Sequence, residues 1–216
     1  MSADGGSLSA GKDRHDLKRR DLEIIAGMIA DGSRVLDIGC GDGALLDYLV
    51  YQKSVDGRGI EISQAGVNSC VTHGLSVIQG DADTDLAYYP DAAFDYVVLT
   101  RTLQATRNPK EVVSQLVRIG RHAIVSFTNF GHWRVRIRLL TEGRMPVVGD
   151  DGQAWHDTPN IHLCTIRDFS LMCSDLGLTV QRALSLSRSG VGRELKSAGA
   201  AANLRGEEAI FVLTRE

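Results

Sequence analysis

Residues 35–43 read Val-Leu-Asp-Ile-Gly-Cys-Gly-Asp-Gly, and this stretch decides the fold. The apolar residues at its start predict a short strand over residues 34–38. The alternating glycines that follow let the backbone leave that strand sharply and approach a ligand without an intervening Cβ. Residues 45–50 then carry leucines and a valine at helical spacing. The stretch therefore predicts a strand, a glycine-rich turn and a helix in direct succession.

The same order of strand and helix recurs along the rest of the chain. Ser63, Asn108 followed by Pro109, and Thr165 with Asp168 are typical of helix starts. Successive strands joined by helical crossovers predict an α/β fold: a doubly wound, mostly parallel seven-stranded, Rossmann-like sheet with helices on both faces. The remaining strands are predicted at residues 55–61, 76–80, 94–99, 122–127, 178–186 and 209–214.

Four segments describe the domain organisation that we expect. Residues 1–15 are rich in Ser, Gly and mixed charge, which favours a flexible tail. Residues 16–216 have the length of a single domain. Within it, residues 128–164 depart from the alternation and predict an insertion over the binding edge, either a lid or a docking surface. Residues 187–208 predict a flexible excursion between the last two strands.

Composition excludes several function classes. The net charge of −3 gives no basic field for nucleic acid or an anionic membrane. The longest apolar run, residues 209–213, is far shorter than the roughly 20 residues of a spanning helix. The chain start lacks the apolar core of a secretory signal, so we expect a cytoplasmic protein. The four cysteines form no CxxC pair and are expected to be reduced thiols.

The acids in the glycine-rich turn indicate the charge of its ligand. Gly39-x-Gly41-x-x-Ala44 satisfies a loose dinucleotide fingerprint, so NAD is one alternative. Asp37 and Asp42 would repel a pyrophosphate, whereas they suit a cation. S-adenosylmethionine carries an ammonium and a sulfonium on its amino-acid end, so an acid beside the turn is complementary to it.

Further contacts to such a cofactor are predicted at the ends of the next strands. Glu61 lies about 20 residues after the glycines, where a carboxylate accepts from ribose hydroxyls. Asp81 is suited to an adenine amino group, Leu103 to the adenine ring, and Thr100 or Gln104 to the methionine end. The predicted cofactor-binding residues are Asp37, Gly39, Cys40, Gly41, Gly43, Glu61, Ile62, Asp81, Ala82, Thr100, Leu103 and Gln104.

The histidines offer little for catalysis or metal binding. His132 is the one candidate general base, since imidazole titrates near neutrality, and a packed residue is its alternative. His162 and Cys164 do not have a usual ligand spacing, so no metal is predicted. The sequence indicates no other catalytic residue.

Residues 33–127 resemble the class I S-adenosylmethionine-dependent methyltransferase fold. Residues 94–99, 102–105, 125–127, 129–136 and 157–169 are similar to the MetW family of methionine-biosynthesis proteins, whereas Arg101 departs from its pattern. The resemblance implies S-adenosylmethionine or S-adenosylhomocysteine as the ligand. It also implies an accessory or regulatory subunit required by a homoserine O-acyltransferase, an enzyme of the α/β-hydrolase type.

Two other functions are weighed against the accessory subunit. One is an active S-adenosylmethionine-dependent methyltransferase acting on a small molecule, with residues 128–164 as a substrate lid. Beyond His132 no acceptor-binding constellation is apparent, which favours the accessory subunit. The other is an NAD-dependent enzyme, which Asp37 and the lack of a hydride-transfer site oppose.

Overall fold

The computed structural model of the chain describes residues 19–145, 155–187, 192–195 and 199–215. The predicted tail at residues 1–15 lies outside them. The strands are β1 (Arg34–Ile38), β2 (Asp56–Glu61), β3 (Ser76–Gln79), β4 (Phe94–Thr100), β5 (Gly120–Thr128), β6 (Thr179–Leu186), β7 (Gly192–Glu194) and β8 (Glu208–Thr214). The helices are α1 (Arg20–Met28), α2 (Ala44–Lys53), α3 (Gln64–Thr72), α4 (Pro109–Ile119), α5 (Trp133–Glu142), α6 (Ile166–Asp175) and α7 (Ala200–Arg205).

The described strands form one sheet in the order β3-β2-β1-β4-β5-β8-β6-β7. The first five strands run parallel, and β8 runs antiparallel to both β5 and β6. The predicted doubly wound, mostly parallel sheet is confirmed. The predicted count of seven strands is wrong by one, because the three-residue strand β7 pairs with β6 and has no apolar pattern of its own. The predicted excursion at residues 187–208 includes β7 and α7.

Helices cover both faces of the sheet, as predicted. Val35 of β1 packs with α1 and α2 in one apolar core, whereas its neighbour Leu36 points to the opposite face and packs with α4 and α6. The order reverses between β1 and β4, which are neighbours although β2 and β3 lie between them in sequence. Ligands of open α/β sheets bind at the carboxyl ends of strands at such a switch point.

The helix starts follow the sequence signals, with one exception. The Ser63 side chain accepts from Gly66 N, and Thr165 forms a capping box with Asp168. Pro109 is the first residue of α4, but the Asn108 side chain makes no capping bond. Instead, the Asn108 amide donates to Asp83 Oδ1 at 2.9 Å, which joins the start of α4 to the loop after β3. Among the described residues, no helix combines the length and hydrophobicity needed to cross a membrane.

Candidate functional site

The glycine loop, residues 39–43, connects β1 to α2 at the switch point. Gly39, Gly41 and Gly43 all have positive φ, between 59° and 83°, which side-chain-bearing residues rarely adopt. A Cβ on Gly39 would overlap the Thr102 side chain, whereas a Cβ on Gly41 would meet open space. The predicted turn is therefore present, and at Gly39 it depends on close approach as well as on φ.

Asp37 lies beneath this loop as a buried and uncompensated carboxylate. It is only 2% exposed, and its Oδ1 has no hydrogen-bond partner among the described residues. Burial, reinforced by the nearby Glu61 carboxylate, raises the pKa of Asp37 to about 7, although the Arg19 guanidinium opposes the shift. On the neighbouring strand β4, Thr100 Oγ1 is also buried without a partner. This end of the site therefore offers unused acceptors.

Glu61, at the end of β2, holds the glycine loop in place. Its Oε2 accepts from Gly41 N and its Oε1 accepts from Ser63 N, each at 2.8 Å. The side chain is 8% exposed. The predicted ribose contact would use the remaining lone pairs of a carboxylate that the main chain has already oriented.

A pocket with a volume of about 130 Å³ opens beside the glycine loop. Four predicted residues line it together: Gly39, Ile62, Asp81 and Ala82. The opposite side is the pocket wall, which we define as residues 102–107; Thr102, Ala105, Thr106 and Arg107 contribute to the lining. These wall residues were missed in the sequence, although they follow β4 at the switch point, where ligands are expected.

Asp81 is already engaged at the far end of this pocket. Its Oδ1 accepts from Asp83 N at 2.9 Å, and its Oδ2 lies 3.2 Å from Arg107 Nη2. The Asp83 carboxylate accepts from the amides of Arg107 and Asn108. The loop after β3 and the pocket wall are thus joined by main-chain and side-chain bonds.

Three predicted contact residues point their side chains away from the pocket. Leu103 is 2% exposed and packs in the core. The buried Gln104 amide donates to Thr128 O and to Cys164 Sγ. Cys40 Sγ lies 4.0 Å from Cys70 Sγ, and burial raises the pKa of both thiols. For these three residues a direct cofactor contact stays a prediction that the geometry does not favour.

Gly43, the last residue of the glycine loop, and Arg101, which follows β4, both have structural roles. Gly43 precedes the first residue of α2, and a Cβ there would overlap Cys70. Arg101 has a positive φ of 53° and forms ion pairs with the buried Asp21 of α1 and with Glu208 of β8. Burial raises the pKa of Asp21, but the hydrogen bond from Arg19 and the charge of Arg101 outweigh it and hold this pKa below its ordinary value.

His132 occupies a structural position at the start of α5. Its Nδ1 accepts from Arg134 N at 3.4 Å, and it is 5% exposed. Burial lowers the pKa of His132, although the Glu207 carboxylate opposes the shift. The described residues contain no cluster of three His, Cys, Asp or Glu side chains that could hold a metal, and all four thiols are free.

Asn129 was missed as a site residue, and it organises the insertion. Its Nδ2 donates to the carbonyls of Asn203 and Gly206, and its Oδ1 accepts from the amides of Gly131 and Ile166. This one buried amide joins the end of β5 to the starts of α5 and α6 and to α7. A fully satisfied amide of this kind fixes the relative positions of four segments.

Known proteins resemble this chain in sequence and in fold. The bifunctional methionine biosynthesis protein MetXA/MetW of Rhodopirellula baltica is 36% identical over 74% of this chain and 27% of its own length. A ubiquinone biosynthesis O-methyltransferase of Alkalilimnicola ehrlichii is 27% identical over 55% of this chain and 51% of its own. The chain therefore spans only about a quarter to a half of these two curated relatives.

A solved structure and a family model complete the comparison. An S-adenosylmethionine-dependent methyltransferase of Thermotoga maritima superposes with a TM-score of 0.66, at 14% identity, over 91% of this chain and 88% of its own. The sheet and its helices therefore have the class I methyltransferase fold. The family model described as methionine biosynthesis protein MetW matches residues 19–213, and the chain accordingly belongs to the MetW family.

Proposed function

We propose that this protein binds S-adenosylmethionine or S-adenosylhomocysteine and acts as an accessory subunit of a homoserine O-acyltransferase in methionine biosynthesis. The observation that carries the partner is the relative whose name joins MetXA and MetW in one protein. Joining two partners in one chain raises their effective concentration, which favours a functional association between them. The partner implied by the MetW resemblance is of the α/β-hydrolase type, and the association takes place in the cytoplasm.

The buried Asp37 carboxylate supports the ligand part of the proposal. A cationic ammonium donating to Asp37 Oδ1 and Thr100 Oγ1 would satisfy two buried acceptors that lack partners. Glu61 would hold the ribose, and Asp81 with Ala82 would hold the adenine. The bound cofactor carries an electrophilic methyl group on its sulfonium, whereas its demethylated product is neutral at sulfur.

The insertion supplies the docking surface in this proposal. Helix α5 has no buried residue, and its Ile137 and Leu140 side chains are 49% and 86% exposed. A ten-residue helix with no buried face gains little stability from its own chain. We assign the acyltransferase as the protein that covers it.

Homoserine acylation tests the accessory function. The acyltransferase of the same organism is assayed alone and after co-expression with this protein, and the pair is examined by size-exclusion chromatography. We expect co-elution and a large rise in rate. Leu140→Ser should weaken co-elution, whereas Val71→Ser on α3, at a valine that is 58% exposed, should not. Lack of association together with an unchanged rate would contradict the proposal.

A second candidate is methyl transfer to a small molecule, for which the similarity to a ubiquinone biosynthesis O-methyltransferase is the supporting observation. Incubation with S-adenosylmethionine labelled in its methyl group and a panel of small-molecule acceptors would distinguish the two. Label transfer that is abolished by Asp37→Asn would favour the second candidate.

A further inference from the structure

The return segment, residues 155–165, forms the last part of the insertion, leads into α6 and rests directly on the pocket wall. The amides of Ile161 and His162 both donate to Gln104 O, at 2.8 and 2.9 Å. Gln104 belongs to the 3₁₀ turn Leu103–Ala105 within the wall. One carbonyl of the wall therefore holds two consecutive residues of the return segment.

Side-chain bonds reinforce this attachment. His162 Nε2 lies 3.2 Å from Arg107 O, and because a carbonyl only accepts, this nitrogen carries the proton and donates. Gln104 Nε2 lies 3.5 Å from Cys164 Sγ. The wall residues Ala105, Thr106 and Arg107 that flank these contacts line the pocket. Because these bonds are direct, a shift of the wall would displace residues 161–164 without another helix or strand in between.

The other side of the same residues faces solvent. Ile161 is 58% exposed and Leu163 is 47% exposed. Two apolar side chains thus stand on the surface of a segment whose main chain is bonded to the pocket wall. The segment has the geometry needed to pass a change in the pocket to the protein surface.

We propose that residues 161–164 report at the protein surface whether the pocket beside the glycine loop is occupied. This inference rests on the proposed function and adds its regulation. A ligand that contacts Thr102, Ala105 and Thr106 binds best when the wall is in place, and the bonds to Ile161 and His162 hold it there. By linkage, a ligand bound only to the closed arrangement reduces opening of the segment by up to about 100-fold at a ligand concentration about 100 times its Kd.

Amide hydrogen exchange measures this opening directly. The full-length protein is compared with and without S-adenosylhomocysteine at a concentration set from its calorimetric Kd. We expect exchange at Ile161 and His162 to slow at least about tenfold. The Leu195 amide, which donates to Ala183 O at 2.8 Å on β6, should change by less than about twofold because its hydrogen bond is to β6 and not to the pocket wall.

Two histidine variants test the route. His162→Ala removes the bond to Arg107 O, so that the segment can open while the wall stays in place with its ligand. Because the ligand then no longer binds only to the closed segment, the ligand-induced slowing at Ile161 should fall at least about threefold. Its ligand Kd should change by less than about twofold, because residue 162 does not line the pocket. His156→Ala, at an exposed histidine paired with Asp157, should behave as the wild type.

The outcomes separate this inference from the proposed function. Calorimetric binding with unchanged exchange at residues 161 and 162 would overturn the inference alone. If the ligand slowed exchange at Ile161 equally in the wild type and in His162→Ala, the His162–Arg107 bond would not be the route from the wall to the segment. The absence of any heat of binding with either S-adenosyl ligand would overturn the ligand part of the proposed function and the inference with it.

Discussion

The two ends of the candidate site are built in opposite ways. At the end where we propose that adenosine binds, called the adenosine end below, Asp81 and Asp83 accept from main-chain amides, and Arg107 pairs with Asp81. At the glycine-loop end, Asp37 Oδ1 and Thr100 Oγ1 are buried and have no partner among the described residues. The first end is complete without a ligand. The second contains an uncompensated acceptor pair, a cost to folding that a cationic ligand would offset.

The largest expected effect follows from removing the Asp37 charge. The unfolded carboxyl ionises near 3.8 and the folded one near a pKa of about 7, so the folded state holds more protons between these pH values. Stability therefore falls as pH rises from about 4 to about 7 and is level above that. Asp37→Asn lacks this slope and should raise the free energy of unfolding at pH 8 by up to about 4 kcal/mol. Urea denaturation at pH 5 and pH 8 measures the difference.

The same substitution should weaken the ligand. Loss of a charge-assisted acceptor is expected to reduce the affinity for S-adenosylhomocysteine by about 10- to 100-fold at pH 8. Asp95→Asn is the matched control, because Asp95 is an acid on β4 that pairs with Arg34 outside the pocket. If Asp37→Asn lowered stability at pH 8, the carboxylate would have a protein partner and the contrast between the two ends would be wrong.

The next largest effect distinguishes close packing from backbone strain within the glycine loop. Gly39→Ala and Gly41→Ala both place a side chain at positive φ, which costs about 1–2 kcal/mol. Only at Gly39 does the new Cβ also overlap Thr102. We expect a loss of about 3 kcal/mol or more at Gly39 and only the strain at Gly41. Thermal and chemical denaturation measure both variants. Equal losses of stability in Gly39→Ala and Gly41→Ala would show that the Thr102 side chain moves aside at no cost.

Glu61→Gln tests how the glycine loop is held in place. The wild-type carboxylate accepts from Gly41 N and Ser63 N, whereas an amide presents an N–H₂ group to one of these donors. Leaving one buried N–H unsatisfied should lower the free energy of unfolding by about 1–3 kcal/mol, which calorimetry can measure as a lower Tm. Gln64→Glu, on the exposed start of α3, is a control for the reverse change. A Glu61→Gln variant as stable as the wild type would show that the loop does not depend on these bonds.

The parts of the molecule that local signals determine were predictable from the sequence. Arg34–Ile38 is a strand as predicted, because its apolar run ends at the glycines. The acids Asp37, Glu61 and Asp81 meet at one edge because parallel strands place their carboxyl ends together. Strand β7 was not predictable, since three exposed residues owe their conformation to pairing with β6.

The pocket wall shows why side-chain direction could not be predicted. Leu103 and Gln104 follow β4 as expected, but the 3₁₀ turn directs both side chains into the protein. The same turn brings Arg107 back to Asp81, which is 26 residues earlier in the chain. Neither outcome follows from periodicity, because a single short turn sets both directions.

The smallest expected effect concerns Arg107. It tests whether the adenosine end keeps its structure and its ligand affinity without the Arg107 side chain. Arg107 is 73% exposed, and exposed ion pairs contribute about 0–1 kcal/mol, less at high salt. We expect Arg107→Met to change the free energy of unfolding by less than about 1 kcal/mol, with the difference vanishing near 1 M NaCl. Arg121→Met, at an arginine 66% exposed and paired with Asp95, is the matched control.

The amides of Arg107 and Asn108 still donate to Asp83 in Arg107→Met, so the loop after β3 should keep its shape and the ligand affinity should change by less than about threefold. A loss of ligand affinity of more than about tenfold would show that the adenosine end also depends on the charged side chain of Arg107.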